Sequence, residues 1–201
     1  MGYHLPMHSR SRVIIFDMDG TLTVPALDFD RMRAEIGITK GSLLEELETM
    51  SPAQRARAEE IVHRHEADAA ASSILQPGAK DVVAAIRRFG FPVALMTRNS
   101  RVSVRAFQDR HGIAFDLIRT REDGVCKPSP QPVHEICGTL GGKPSDAWVI
   151  GDFHYDILCG NAAGATTVLM WSETGPLPEW SGEANHVIRK LGELLSLLGM
   201  A

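Results

Sequence analysis

Cysteine is scarce in this chain of 201 residues: Cys126, Cys137 and Cys159 are its whole complement. Odd in number and far apart, they match neither a disulfide framework nor a zinc knuckle, and they read as reduced thiols. Basic residues are not in excess either. Lys and Arg total 21 against 25 Asp and Glu, a formal net charge of -4. No basic stripe stands out to neutralise phosphates, which argues against a nucleic-acid partner. No apolar run approaches the roughly 18 residues of a membrane span. The stretch from Met1 to Arg12 lacks the apolar centre of a secretory leader, and Pro6 stands where a myristoylation motif wants Ser or Thr. Internal repeats and low-complexity tracts are missing too. The expectation is a cytoplasmic protein with no membrane and no nucleic-acid partner, a monomer or weak homodimer.

What is present is an ordinary globular composition, 44% hydrophobic and 23% charged, long enough to bury a real core. Val13–Phe16 is an apolar run that ends in Asp17-Met-Asp-Gly20, a buried strand followed by a loop. A helical stretch follows from Leu27 to Ala71, restarted at Ser51-Pro-Ala-Gln54, a capping signature with Pro at the first helical position. Pro77-Gly78 breaks that pattern. Helix and strand then alternate: helices at Asp81–Phe89, Val102–His111, Gln131–Thr139 and Ile157–Ala163, strands at Pro92–Met96, Phe115–Ile118, Ala147–Ile150 and Thr166–Met170. An amphipathic helix at Lys190–Leu198 closes the chain.

Repeated strand–helix units imply an α/β fold, a Rossmann-like parallel sheet core with helices on both faces. The first strand belongs to this later region, so the helical block between them is an inserted small α-helical cap. The expected division is an arm over residues 1–10, a core from 11–23 and 77–201, and a cap over 24–76. The cap holds six Lys or Arg and ten Asp or Glu, leaving fifteen of each elsewhere, so it carries the whole net charge.

In a parallel sheet, ligands bind beyond the carboxyl ends of the strands, and the notable polar groups all fall there. Asp17 and Asp19 follow the first strand, Thr97 follows Pro92–Met96, and Asp152 follows Ala147–Ile150. Lys127 precedes the Gln131 helix, and Asp156 lies where the next helix starts. The chemistry that fits this set is phosphoryl transfer through a covalent aspartyl-phosphate. Asp17, Asp152 and Asp156 offer hard oxygens suited to Mg²⁺. Lys127 adds a point charge and Thr97 a hydroxyl for a phosphoryl oxygen. Residues two apart in an extended segment face the same way, so Asp19 can protonate the leaving oxygen and then deprotonate the attacking water. Gly20 permits loop angles a side chain would resist, and Arg98 and Asn99, directly after Thr97, are candidates for substrate contact. His154, inside the Asp152–Asp156 loop, reads as a surface histidine, and His63 and His65 as a solvated pair.

Singly these motifs are weak: a D-x-D pair is commonly a turn, and a lone Lys a solvated charge. Together, Asp17-Met-Asp-Gly-Thr21, Thr97 after its strand, Lys127-Pro128 and Gly151-Asp152-x-x-x-Asp156 resemble the four motifs of the haloacid-dehalogenase-like (HAD) hydrolase superfamily, in order. The resemblance is to its phosphatase branch with a small helical cap, phosphoglycolate phosphatase and beta-phosphoglucomutase-like, although the insertion is short for a helical cap of this type. The segment Ala184–Ile188 is similar to that superfamily as well. The resemblance implies Asp17 as nucleophile and metal ligand, Asp19 as acid/base that also binds the metal through its backbone carbonyl, Asp152 as Mg²⁺ ligand, and Asp156 as support for the metal shell or Lys127. It implies Mg-dependent hydrolysis of a small phosphorylated metabolite. Cys126 before Lys127 and Phe153 after Asp152 depart from the common pattern. A phosphomutase of the same superfamily would share every motif. A phospho-accepting receiver domain would share the acidic cluster, Thr and Lys but lacks the Gly151–Asp156 motif, and Asp19 argues against a dehalogenase.

Overall fold

The computed structural model describes residues 12–39, 43–172 and 174–200, without the side chain of residue 44. The expected N-terminal arm, residues 1–10, lies outside the described residues. Strand β1 (Ile14–Phe16) is buried on both faces. Side chains alternate along a strand, so Ile14 and Phe16 enter one core and Ile15 the other. That is why a continuous apolar run marks a central strand. β1 pairs with β2 (Val93–Met96) on one side and with β4 (Trp148–Gly151) on the other, all parallel. β3 (Leu117–Arg119), β5 (Thr166–Met170) and β6 (His186–Ile188) complete a six-stranded sheet in the order β3-β2-β1-β4-β5-β6.

Between β1 and the second strand lie four helices: α1 (Phe29–Ile36), α2 (Leu43–Thr49), α3 (Pro52–Ser72) and α4 (Ala79–Phe89). α5 (Arg101–His111) follows β2, α6 (Gln131–Leu140) precedes β4, and α7 (His154–Ala163) and α8 (Glu193–Leu197) follow. α4, α5 and α8 cover one face, where Ile86, Phe107 and Leu194 meet Phe16 and Leu95. α6 and α7 cover the other, where Ile136 and Cys159 meet Ile15 and Val149. Each fully buried aliphatic side chain contributes roughly 1.5–3 kcal/mol against exposure.

Helices α1–α3 form a third cluster of their own, built on Met32, Leu43, Leu47, Ala58 and Val62. The long helical stretch read from sequence is thus three helices. α1 ends where Gly37 takes a left-handed cap (φ 89°). α3 opens at Ser51, whose backbone N–H donates to Gln54 Oε1 at 3.2 Å. The segments entering and leaving this block pair with each other: Val24 N donates to Ile74 O at 2.8 Å and Gln76 N to Leu22 O at 2.9 Å.

Other elements differ from the sequence reading: β3 is Leu117–Arg119 where Phe115–Ile118 was expected, and α8 is Glu193–Leu197 where Lys190–Leu198 was expected. β6 was not foreseen as a strand, because it is three residues long at the sheet edge and begins with His186. Asn185 anchors it, its side-chain oxygen accepting from Thr167 N at 2.8 Å. α7 starts at His154 instead of Ile157, because the Asp156 carboxylate accepts from Phe153 N at 3.2 Å and opens the helix earlier. Among the described residues, no helix is long and apolar enough to cross a membrane.

Candidate active site

The strand order explains why residues far apart in sequence meet. β1 is central, flanked by β2 and β4, so the loops after these three strands share one crevice at their carboxyl ends. One cavity of about 530 Å³ opens there, lined by Asp17, Asp19, Thr97, Arg98, Asn99, Lys127, Asp152 and Asp156 from the sheet side. Leu27, Phe29, Met32, Arg33, Leu43, Val62 and Glu66 close it from the side of α1–α3.

Lys127 is the electrostatic centre. Its Nζ donates to Asp17 Oδ1 at 2.7 Å and to Asp156 Oδ1 at 2.6 Å, with the lysine side chain only 4% exposed. Burial alone would pull its pKa down, but the charges of Asp156 and Asp17 outweigh that and push it up. One ammonium does not balance the acids around it. Burial, then the charge of Asp17, hold Asp152 well above the usual carboxylate range. Burial raises Asp156 as well, against the pull of Lys127.

Carboxylate oxygens of Asp17, Asp152 and Asp156 lie within 4.8 Å of one another. Two oxygens on one octahedral Mg²⁺ are at most about 4.2 Å apart, twice the ~2.1 Å ligand distance, a spacing close to that of the trio. An all-oxygen, acid-rich donor set with one counter-charge fits a hard divalent cation. Asp152 is the least committed of the three, with a contact from the Thr21 hydroxyl at 3.2 Å. The Asp19 carboxylate lies outside this trio.

Asp19 is held instead by the Asn99 side-chain amide and by the Thr23 hydroxyl at 3.4 Å. Desolvation, reinforced by the charge of Asp17 and opposed by the Asn99 hydrogen bond, lifts its pKa to about 6. A carboxyl group so placed can hold or release a proton near neutral pH. Thr97 Oγ1 accepts from Asn99 N at 3.1 Å and from the Asn99 amide at 3.2 Å, which fixes the loop after β2.

Not every candidate takes the position its motif suggested. Gly20 is not among the cavity-lining residues; it has φ 78°, and a Cβ there would lie 1.9 Å from Asp152 Oδ2. Its bareness makes room for that carboxylate. Gly151 does the same for Asp156, whose Cγ lies 2.1 Å from where a Cβ would be. Arg98 lines the cavity but is paired with Glu45 at 2.8 Å and lies 5.0 Å from the centre of the Tyr155 ring. His154 stacks on Trp180 and meets Glu183 at 3.0 Å, away from the cavity lining. Sequence reasoning missed Glu66, a buried acid of α3 that binds Arg121 and accepts from Ser103 Oγ at 3.3 Å. No local pattern marks it, since its partners are 34 or more residues away.

Residues 11–164 match the family model of haloacid dehalogenase-like hydrolases. The chain belongs to that family. It is 34% identical over 180 residues to a haloacid dehalogenase-like hydrolase domain-containing protein of Arabidopsis thaliana, covering 83% of this chain and 73% of that one. It is 30% identical over 123 residues to a pyrophosphatase of Bacillus pumilus, covering 59% and 57%. A predicted phosphoglycolate phosphatase from Haemophilus somnus shares the fold with a TM-score of 0.75 at 18% identity, over 96% of this chain and 99% of the other. A HAD hydrolase from Bacillus subtilis, solved bound to magnesium, superposes with a TM-score of 0.67 at 20% identity, over 94% and 98%. This HAD-like chain is therefore a hydrolytic enzyme with an α/β core.

Proposed function

We propose that this hydrolase is a Mg²⁺-dependent phosphatase of small phosphomonoesters that works through an aspartyl-phosphate on Asp17. The observation that carries the reading is Asp17 bound to Lys127 at 2.7 Å, with carboxylate oxygens of Asp17, Asp152 and Asp156 within 4.8 Å of one another and Asp19 lining the same cavity. A carboxylate repels a phosphate dianion, so attack needs compensating charge; Lys127 supplies part of it and directs an Asp17 oxygen. Asp17 and Asp152 would hold Mg²⁺ with Asp156 supporting, and the bound ion would supply Lewis-acid positive charge against that of the phosphate.

In the first half-reaction an Asp17 oxygen bonds to phosphorus, the ester P–O bond breaks, and Asp19 gives its proton to the departing alkoxide. In the second, Asp19 takes a proton from water as that water attacks phosphorus. The acyl-phosphate P–O bond then breaks, releasing inorganic phosphate and restoring Asp17. Thr97 hydrogen-bonds a phosphoryl oxygen throughout. The segment 24–76 serves as a cap that admits a small ester and shields the phosphoenzyme from uncontrolled access.

Inorganic phosphate should be released from acetyl phosphate and a panel of small esters in Mg²⁺. Activity should vanish with chelator, return with Mg²⁺ and fail in Ca²⁺, whose loose six-to-eight-fold coordination does not fix in-line attack. Asp17→Asn should lose at least ~10³-fold in turnover while keeping its fold, as expected for a removed nucleophile. Full activity in that variant sinks the reading. Isomerised sugar phosphate in place of free phosphate would instead favour a mutase.

A further inference from the structure

The walls of the cavity divide sharply by chemistry. Beyond the catalytic acids, Lys127 and Thr97, its charged side chains and Asn99 are paired within the protein among the described residues, which leaves the buried Arg98 Nε and the Tyr155 hydroxyl as the polar groups of the lining without a protein hydrogen bond. Glu66 is taken by Arg121, Ser100 N at 3.4 Å and Ser103 Oγ at 3.3 Å. Arg98 is paired with Glu45, Arg33 with Asp30 at 2.5 Å, and Asn99 with Asp19. Most of the lining contributed by α1–α3 and the segment before it is apolar: Leu27, Phe29, Met32, Leu43 and Val62. Met32, Leu43 and Val62 are buried members of the α1–α3 cluster that line the cavity.

Two aromatic side chains in the same lining, Phe29 and Phe153, stay 49% and 56% exposed. Phe153 sits in an edge-to-face cluster, 5.3 Å from the Tyr155 ring and 6.4 Å from Trp180. Large apolar groups left half in water around a cavity favour an apolar body that covers them. A hydroxyl-rich leaving group would find few free partners there, and it would lose water on contact with Met32 and Val62 without replacing those hydrogen bonds. The volume, about 530 Å³, falls in the range of small-molecule sites, roughly 300–1,000 Å³.

We propose that the leaving group of the substrate is an apolar, aromatic-sized alcohol, seated between Phe29, Met32, Leu43 and Val62 from α1–α3 and Phe153 from the loop after β4. The substrate class is thus an aryl or arylalkyl phosphomonoester, not a sugar or polyol phosphate. This rests on the phosphatase reading above. Phe153, the residue that departs from the small side chain common after the motif aspartate, becomes a specificity determinant.

The test compares benzyl phosphate with glycerol phosphate, both esters of alcohols with similar leaving-group chemistry, and uses acetyl phosphate as the control. The intact enzyme should favour benzyl phosphate at least ~10-fold in kcat/KM, since each apolar group fitted to such a pocket discriminates by about tenfold or more. Phe153→Ser and Phe29→Ser, both at half-exposed positions, should each lower the benzyl-to-glycerol ratio about tenfold, through KM for the benzyl ester. Circular dichroism checks that both variants keep the fold. Equal or better use of glycerol phosphate, or a ratio unmoved in both variants, overturns the inference. Turnover of acetyl phosphate with neither ester hydrolysed overturns it as well, leaving the phosphatase reading intact. Inertness toward all three overturns both.

Discussion

Gly20 and Asp152 are in contact across 132 residues of chain, so close that a Cβ on Gly20 would lie 1.9 Å from Oδ2 and 2.8 Å from Oδ1 of the carboxylate. A glycine in the loop after β1 therefore decides where an acid in the loop after β4 can sit. The same residue needs φ 78°, a conformation that L side chains rarely adopt. Close approach and backbone angle thus converge on one position.

Gly20→Ala should accordingly displace Asp152 and weaken the metal site, not merely strain the loop. Loss of a metal-orienting contact typically costs 10–100-fold in affinity, so the Mg²⁺ concentration for half-maximal activity should rise by at least about tenfold. A Mg²⁺ titration of the variant checks this. An unchanged midpoint would show that Asp152 is not a ligand.

Asn99 is expected to act through Asp19. Its amide holds the Asp19 carboxylate and the Thr97 hydroxyl together, so Asn99→Ala should reduce kcat about tenfold while leaving KM within about twofold. Asp19→Asn should cost more, ~10²–10⁴, the usual range for lost acid/base catalysis. Steady-state kinetics on one ester in both variants gives the comparison. A larger loss in Asn99→Ala than in Asp19→Asn would reverse the assignment.

Glu66 ties α3 to the region beside α5. Its side chain is 6% exposed and Arg121, its partner, 15%. Glu66→Ala leaves a guanidinium largely desolvated, with only the Arg98 carbonyl at 3.1 Å to share it among the described residues. Breaking a buried pair in this way costs about 3–5 kcal/mol. The urea midpoint should fall correspondingly, whereas breaking the exposed, water-screened pair Arg55–Glu59, at 2.8 Å, should move it far less.

His111 closes α5, accepting or donating to Ser73 Oγ at 2.8 Å. Desolvation, then the charges of Arg110 and Lys80, lower its pKa from the ordinary 6.5. A histidine harder to protonate when folded binds fewer protons in the native state, so stability rises with pH through this window. Its contribution is complete above about 6.5 and is lost as pH falls through the lowered folded value. Urea midpoints between pH 5 and 7.5 should show a shallower pH slope for His111→Gln than for the wild type.

Much of this site was legible before any fold was known. Asp17, Asp19, Thr97, Asp152 and Asp156 declared themselves because each follows an apolar run or opens a helix, and local periodicity reveals those boundaries. β6 did not, since three residues at a sheet edge, one of them His186, leave too short a pattern to read. The three-way split of the first helical stretch was only half visible: the Ser51 cap announced α3, but Gly37 was not read as a stop.

The sequence by itself determined which residue types stand at the strand ends, because strand burial and capping are short-range physics written in neighbouring residues. Only the tertiary structure decided which of them meet. Lys127 reaches both Asp17 and Asp156 because β1 lies between β2 and β4, an order that no window of sequence contains. The apolar wall of Met32 and Val62, and the ion pair from Glu66 to Arg121, belong to the same class. They depend on where α1–α3 pack against the sheet, and packing is settled by surfaces brought together across the chain.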